Sequence, residues 1–211
     1  MSMKRTTFYL MLMAVVFLGR KSGAYAAVPP VKTIENLKEA YIGESTASAR
    51  YAAFADEARK EGYDRIGLLF DAASKAEGIH AGNHKAVLQQ LGGDIPVPDL
   101  NIDVKTTAEN LETALSGESY EISTMYPDFL KKAQEENSTL AMISLNYAYK
   151  TEMKHKELYA KAIKALKEGK VNSLSSTYAV CSTCGNTYDS EAPARCGISM
   201  TPKERFIVFN L

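Results

Sequence analysis

Five glutamates and two histidines carry the spacing of a metal-binding set. Glu77-Gly-Ile-His80 and Glu152-Met-Lys-His155 each place a carboxylate and an imidazole three residues apart, which puts both on one face of a helix. Glu44 and Glu118 close two copies of the pattern E-N-L-x-x-A-x-x-G-E-S, 74 residues apart, so the chain contains a duplication. The second copy adds Glu121 one turn beyond Glu118, where the first has Ala47. Two carboxylates so placed repel one another, and on a core-facing surface they are costly unless a cation lies between them. One Glu-x-x-His in a helix rich in glutamate is ordinarily a solvated face; two at equivalent places in a repeat point to a site. Carboxylate oxygens with one imidazole per metal suit iron or manganese better than thiophilic metals. The third histidine, His84, has no counterpart in the repeat and is expected at an outer position.

Four helices are needed to bring these groups together. After Pro29-Pro30, Thr33 is expected to cap a helix running to about Glu61 and stopping at Gly62; a second follows from about Asp64 to Leu91, stopped by Gly92-Gly93. Thr106-x-x-Glu109 reads as a capping box opening a third helix toward Asn137, with a kink expected at Pro127. The fourth spans about Ser138 to Glu168. Glu44 lies 18 residues before Gly62 and Glu77 15 after it; Glu118 lies 19 before Asn137 and Glu152 15 after. Differences of three or four residues amount to about 5 Å along a helix axis, so all the candidate ligands reach one level. The connection over 94–105, with Pro96 and Pro98, reaches ~40 Å when extended, and a helix of 28 residues is ~42 Å long. A four-helix bundle with a long crossover, ferritin-like in topology, follows as the expected all-α main domain over 27–170.

With 211 residues and 45% hydrophobic composition the chain can bury a full core. The formal net charge is zero; Lys4, Arg5, Arg20 and Lys21 stand at the amino end, so the remainder is mildly acidic and gives no sign of nucleic-acid binding. Residues 1–26 read as an export signal: Lys4 and Arg5, an apolar run from Phe8 to Leu18, then Ala24-Tyr25-Ala26 as a cleavage site. Eleven apolar residues are too few to span a bilayer, which takes roughly 20. A mature protein beginning near Ala27, in the periplasm and without stable membrane insertion, is the expectation; an uncleaved short anchor is the alternative. All three cysteines, Cys181, Cys184 and Cys196, lie beyond residue 180, a spacing that fits a metal site better than a disulfide framework, although export permits a Cys181–Cys184 bridge.

Taken together, Gly43-Glu44-Ser45, Glu77-x-x-His80, G-E-S-Y-E at 117–121, Met125-Tyr126-Pro127 and Glu152-x-x-His155 resemble the rubrerythrin family over nearly all of the exported part. The resemblance implies a diiron centre held by Glu44, Glu77, His80, Glu118, Glu121, Glu152 and His155, with Glu121 and His80 exchanging at one iron as the redox state changes. It also implies that Tyr51 and Tyr126 bond to ligand carboxylates, and that no other catalytic group is needed. Residues 178–211, after a linker over 171–177, look like the small rubredoxin-like β/loop module that ends such proteins, with Ser199 where the fourth cysteine belongs. Cys181, Cys184 and Cys196 still offer three thiolates; Ser199, water or nothing takes the fourth place, leaving an altered iron site, a structural zinc site or a decayed knuckle open. The family implies a peroxidase reducing hydrogen peroxide in oxidative-stress defence, fed by an electron donor the sequence does not identify, and a homodimer in which one subunit's knuckle approaches its neighbour's diiron site. A ferritin-like iron-binding or ferroxidase protein without sustained turnover is the second reading, and a structural bundle with a vestigial site the third.

Overall fold

The protein is described here by a computed structural model covering residues 30–211; the export-type segment 1–26 lies outside the described residues. Helix α1 (Val31–Lys60) and α2 (Asp64–Gln90) form the first hairpin. The second begins with α3 (Thr107–Tyr120), passes through a π-helical turn (Glu121–Met125) into α4 (Tyr126–Glu135), and returns along α5 (Thr139–Lys167). Residues 91–106 join the hairpins without regular structure. The ferritin-like bundle is therefore present, and among the described residues no helix is long and apolar enough to cross a membrane.

The duplication shows in how the ends are tied. Gly62 and Asn137 both adopt left-handed backbone, φ 83° and 54°, at the two hairpin turns, a conformation that costs glycine nothing and asparagine little. The residue before each turn reaches across to the other hairpin. Glu61 accepts from the Thr107 backbone N–H at the start of α3 (3.2 Å), and Glu136 accepts from Lys32 and Thr33 at the start of α1 (3.1 and 2.8 Å). Thr33 is thus not the cap that the sequence suggests. The helix starts at Val31, directly after Pro30, and a carboxylate distant in sequence satisfies its free N–H groups, leaving Thr33 buried. The Thr106–Glu109 capping box forms as expected.

A second departure concerns the third helix, which does not bend at Pro127 alone. The second repeat is one residue longer than the first between its glutamate and its turn, and the extra residue is absorbed as the π turn, closed by a Tyr126 N–H to Glu121 carbonyl bond. Pro127, at the start of α4, has no N–H to lose there. The insertion moves the second-repeat tyrosine to Glu118 plus eight, against Glu44 plus seven in the first, yet returns Tyr126 to the inward face.

Two apolar clusters fill the bundle. One joins Tyr51, Phe54, Phe70, Leu111 and Tyr159; the other joins Leu37, Leu88, Met125, Tyr126, Phe129 and Leu145. Beyond α5, strands β1 (Thr177–Cys181), β2 (Thr187–Tyr188) and β3 (Phe206–Asn210) make an antiparallel sheet in the order β2-β1-β3, with Ala179 opposite both Tyr188 and Val208. Tyr178 and Val180 of β1 enter the first apolar cluster, so this small unit is fastened to the bundle through shared core.

Candidate metal centre

Six of the seven expected ligands meet in two overlapping sets. Glu44, Glu77, His80 and Glu152 offer atoms within 4.8 Å of one another, and so do Glu77, Glu118, Glu152 and His155; Glu77 and Glu152 belong to both. None of the six side chains is more than 2% exposed. His80 Nδ1 lies 2.8 Å from Glu77 and 3.0 Å from Glu152, while His155 Nδ1 lies 2.9 Å from Glu77 and 2.8 Å from Glu152. Glu121, at the first position of the π turn, is half-buried and stands outside both sets.

The histidines are turned so that Nδ1 faces inward. His80 Nε2 is 3.0 Å from the Cys184 carbonyl, which can only accept, so Nε2 carries the proton. His155 Nε2 is 3.0 Å from Thr187 Oγ1, whose own proton goes to the Gly185 carbonyl, so this nitrogen donates too. Both Nδ1 lone pairs are thereby left for a cation, and both supporting acceptors come from the C-terminal unit.

Without a cation this arrangement is electrostatically unbalanced. Burial, then the neighbouring carboxylates, hold Glu44, Glu118 and Glu121 well above the usual glutamate range. Burial acts on Glu77 in the same sense, but the two histidines outweigh it and bring it down to about 2. For His155 burial favours the neutral ring, yet Glu77 and Glu152 raise it to about 9, and His80 is raised likewise by Glu152 and Glu77. With both rings neutral and their hydrogens on Nε2, buried oxygens on Glu44, Glu77 and Glu152 and both Nδ1 atoms are acceptors facing acceptors, without a hydrogen-bond partner. Groups of this kind left unpaired are expensive, and a pair of divalent cations satisfies them.

Tyrosines close the set on two sides. Tyr51 donates to Glu118 at 2.8 Å and Tyr126 donates to Glu44, the two bonds that the family resemblance implies. His84 corrects the expectation of an outer position. It is fully buried, with Nδ1 2.8 Å from Ser144 Oγ and Nε2 3.3 Å from the Tyr126 hydroxyl, and burial, helped by His80, lowers it to about 3, so the ring is neutral. Four residues past His80 on one helix, it shares that inward face; this spacing was the available clue.

In the C-terminal unit Cys181, Cys184 and Cys196 are free thiols, buried and clustered, with Cys184 and Cys196 Sγ 3.4 Å apart. The Ser199 hydroxyl lies 3.2 Å from Cys181 Sγ and is bonded to Thr201 at 2.8 Å. Hydrogen bonding with Cys184 and Ser199 draws Cys181 down to about 4, the thiolate form that metals bind. Three sulfurs and one oxygen supply the four donors that a tetrahedral metal site takes.

Known proteins place this geometry. The rubrerythrin family profile matches residues 35–163. Nigerythrin of Nitratidesulfovibrio vulgaris is 35% identical, over 84% of this chain and 86% of its own length. Rubrerythrin-2 of Clostridium acetobutylicum is 34% identical, over 87% of this chain and all of its own.

The chain belongs to the rubrerythrin family.

A solved structure of fully reduced, all-ferrous nigerythrin superimposes with a TM-score of 0.75, covering 84% of this chain and 86% of that one. An open-pore ferritin from Archaeoglobus fulgidus, 12% identical, covers 67% of this chain and 88% of its own with a TM-score of 0.58, a likeness of fold alone. Rubrerythrins and nigerythrins bind a diiron centre, and the carboxylate–histidine cluster here has the donors to do so. In this rubrerythrin the knuckle already adjoins the carboxylate cluster of its own chain, through Cys184 and Thr187. Sequence reasoning did not anticipate Thr187 or the Cys184 carbonyl as supports for the histidines, because nothing in a linear pattern reports which main-chain oxygen a ring will meet.

Proposed function

We propose that this rubrerythrin is an exported non-haem diiron peroxidase that reduces hydrogen peroxide to water: H2O2 with two electrons and two protons gives two H2O. The observation that carries the proposal is the pair of four-donor sets sharing Glu77 and Glu152. Glu44 and His80 would hold one iron, Glu118 and His155 the other, with Glu77 and Glu152 common to both and Glu121 available from the π turn as a further carboxylate. When bound, two adjacent ferrous ions supply the two electrons together, which avoids a one-electron radical product.

The chain's own residues do the rest. The two apolar clusters exclude bulk water from the carboxylate layer. Cys184 and Thr187 fix the tautomers of His80 and His155. Tyr51 and Tyr126 each place a hydroxyl proton on a carboxylate oxygen at the centre. The Cys184 main chain connects a knuckle sulfur to the His80 ring through one hydrogen bond, a short conduit for electrons from an external donor.

Peroxide consumption by the iron-loaded protein with a reduced donor tests the proposal. Sustained catalytic turnover supports it, and its absence in fully loaded protein rejects it. Ser199 favours a second reading, iron binding or ferroxidase activity without steady electron supply, which gives a single burst. Metal analysis reads the knuckle at the same time: about two ions per chain leaves it empty, three fill it. Export, with cleavage near Ala26, rests on residues 1–26 and is tested by fractionation and amino-terminal sequencing. A homodimer, also part of the proposal, is tested by sedimentation.

A further inference from the structure

The repeat gives each half of the centre a buried tyrosine, but only one of the two tyrosines is hydrogen-bonded onward. Tyr126 donates its single proton to Glu44, so its oxygen can only accept from any other neighbour. That neighbour is His84 Nε2, at 3.3 Å, which must therefore carry a hydrogen. His84 Nδ1, 2.8 Å from Ser144 Oγ, is then the acceptor and the serine hydroxyl the donor. Every bond in the row points the same way: Ser144 to His84, His84 to Tyr126, Tyr126 to Glu44. Ser144, His84, Tyr126 and Glu44 are all at most 4% exposed, so the row runs through the interior.

The equivalent positions in the other half do not make such a row. Counting from the Glu-x-x-His pairs, His84 corresponds to Tyr159 and Ser144 to Leu69. Tyr159 packs edge-on against Tyr51, with ring centroids 5.6 Å apart, and its hydroxyl neighbours that of Tyr51 without completing a hydrogen bond of ordinary length and angle among the described residues. Leu69 is buried and apolar.

We propose that His84, held by Ser144, is a positioning residue that keeps the Tyr126 hydroxyl proton on Glu44, and that it makes the ion on the Glu44–His80 side chemically unequal to its neighbour. The role goes beyond the resident ligands and rests on the diiron reading only in assigning two ions to the two donor sets. Hydrogen bonds made directly to a ligand typically alter metal affinity by about 10–100-fold, and a bond one step further out should act at the lower end of that range.

The test uses the full chain, loaded with diamagnetic Zn(II) for NMR so that Glu44 is ionised, and metal-free for titration with Co(II) as the probe. Nitrogen NMR of the histidine rings should show His84 neutral with its hydrogen on Nε2; a hydrogen on Nδ1, or on both nitrogens, overturns the proposal. In a cobalt titration, with the knuckle followed separately by its thiolate absorption, His84→Leu should weaken one of the two carboxylate-site binding steps about tenfold and leave the other unchanged. His84→Gln, whose amide can still donate to Tyr126, should recover most of the loss. Equal effects on both steps, no effect, or no difference between Leu and Gln overturn it, as does failure to bind cobalt at all. If His84→Leu does not fold, Ser144→Ala decides: the hydrogen should stay on Nε2, which Tyr126 fixes, while the same cobalt step weakens by a smaller factor; unchanged cobalt steps reject the serine's part and a hydrogen moved to Nδ1 rejects Tyr126's. No readout uses peroxide, so a chain with the expected tautomer and unequal steps but no turnover loses the peroxidase reading and keeps this one.

Discussion

On one side of the carboxylate layer Tyr126 meets Glu44 and is met in turn by a hydrogen-bonded histidine; on the other Tyr51 meets Glu118 and is met by aromatic rings, Phe54, Phe70 and Tyr159, with centroids 5.6–6.2 Å away. The frame beneath is common to both. Each hairpin turn is left-handed, each is preceded by a glutamate that caps the opposite hairpin, and each returning helix carries Glu-x-x-His at the same height. Duplication has kept what folds the bundle and let the surroundings of the two glutamates diverge. Glu121 opposite Ala47 and the π turn opposite an unbroken α1, both in the second hairpin, belong to the same divergence, as does His84 of α2 where α5 has Tyr159.

The strongest way to probe the two halves is to remove something they share. Glu152 lies in both donor sets and Glu44 in one. Glu152→Ala should therefore abolish tight binding of both ions, whereas Glu44→Ala should leave one. Loss of a mere supporting hydrogen bond costs about 10–100-fold in metal affinity, and loss of a shared ligand should exceed that. Metal analysis after dialysis checks this; equal ion content in the two variants would mean that the halves are not separate sites.

Next in size is the contact between knuckle and bundle. Gly185 has φ 78°, and a Cβ there would overlap the His80 ring and crowd the Ala76 carbonyl at 3.1 Å. Gly185→Ala should destabilise the protein by ~1–3 kcal/mol through overpacking, on top of the left-handed backbone's own cost, and should slow reduction of the centre by lifting Cys184 off His80. Thr187→Val takes the support from His155 instead and leaves that backbone alone. It should weaken one ion about tenfold with little change in melting temperature. Thermal melts and metal titrations of the pair separate a docking defect on the His80 side from a ligand defect on the His155 side.

Much of this was legible in the residue pattern, and the parts that were not share a cause. The repeat, the two Glu-x-x-His pairs and the glycine stops are local, so spacing alone indicates four helices and a ferritin-like fold. The counts of 18 and 19 residues to the two turns contain the insertion, but a proline is a louder mark than a one-residue surplus, so the residue pattern points to Pro127 and not to the π turn before it. Thr33 looked like a cap because the rule is local, whereas the donor-satisfying carboxylate is Glu136, from the far hairpin. His84 looked peripheral because it lacked a counterpart of its own type. Its burial is decided by Ser144 and Tyr126 from other helices, and no window of sequence joins those three.

A smaller effect distinguishes the tyrosines of the aromatic half. Tyr51→Phe leaves a Glu118 oxygen without its donor and should cost ~1–3 kcal/mol in the metal-loaded protein. Tyr159→Phe removes a hydroxyl that neighbours Tyr51 but completes no hydrogen bond of ordinary geometry among the described residues, and should change stability by less than about 0.5 kcal/mol or raise it. A large loss in Tyr159→Phe would show that its hydroxyl is paired after all, and that the aromatic half has its own onward bond.

The smallest expected effect concerns the caps at the bundle ends. Glu136 is held below the ordinary glutamate value of 4.5: its slight burial works the other way, but the N–H groups of Thr33 and Lys32 favour the ionised form. A carboxyl depressed in the folded state contributes stability that is complete above the unfolded value and fades as pH falls through the folded one. Glu136→Gln, a weaker acceptor without the charge that suits a helix start, should thus lower stability at neutral pH by a few tenths of a kcal/mol, since an exposed charge is screened. The gap to the wild type should narrow on acidification below about pH 4.5, where the wild-type carboxyl takes up its proton. Denaturant melts of both proteins at pH 7 and pH 4 make the comparison, and a gap that stays constant would mean that Glu136 holds α1 through hydrogen-bond geometry rather than charge.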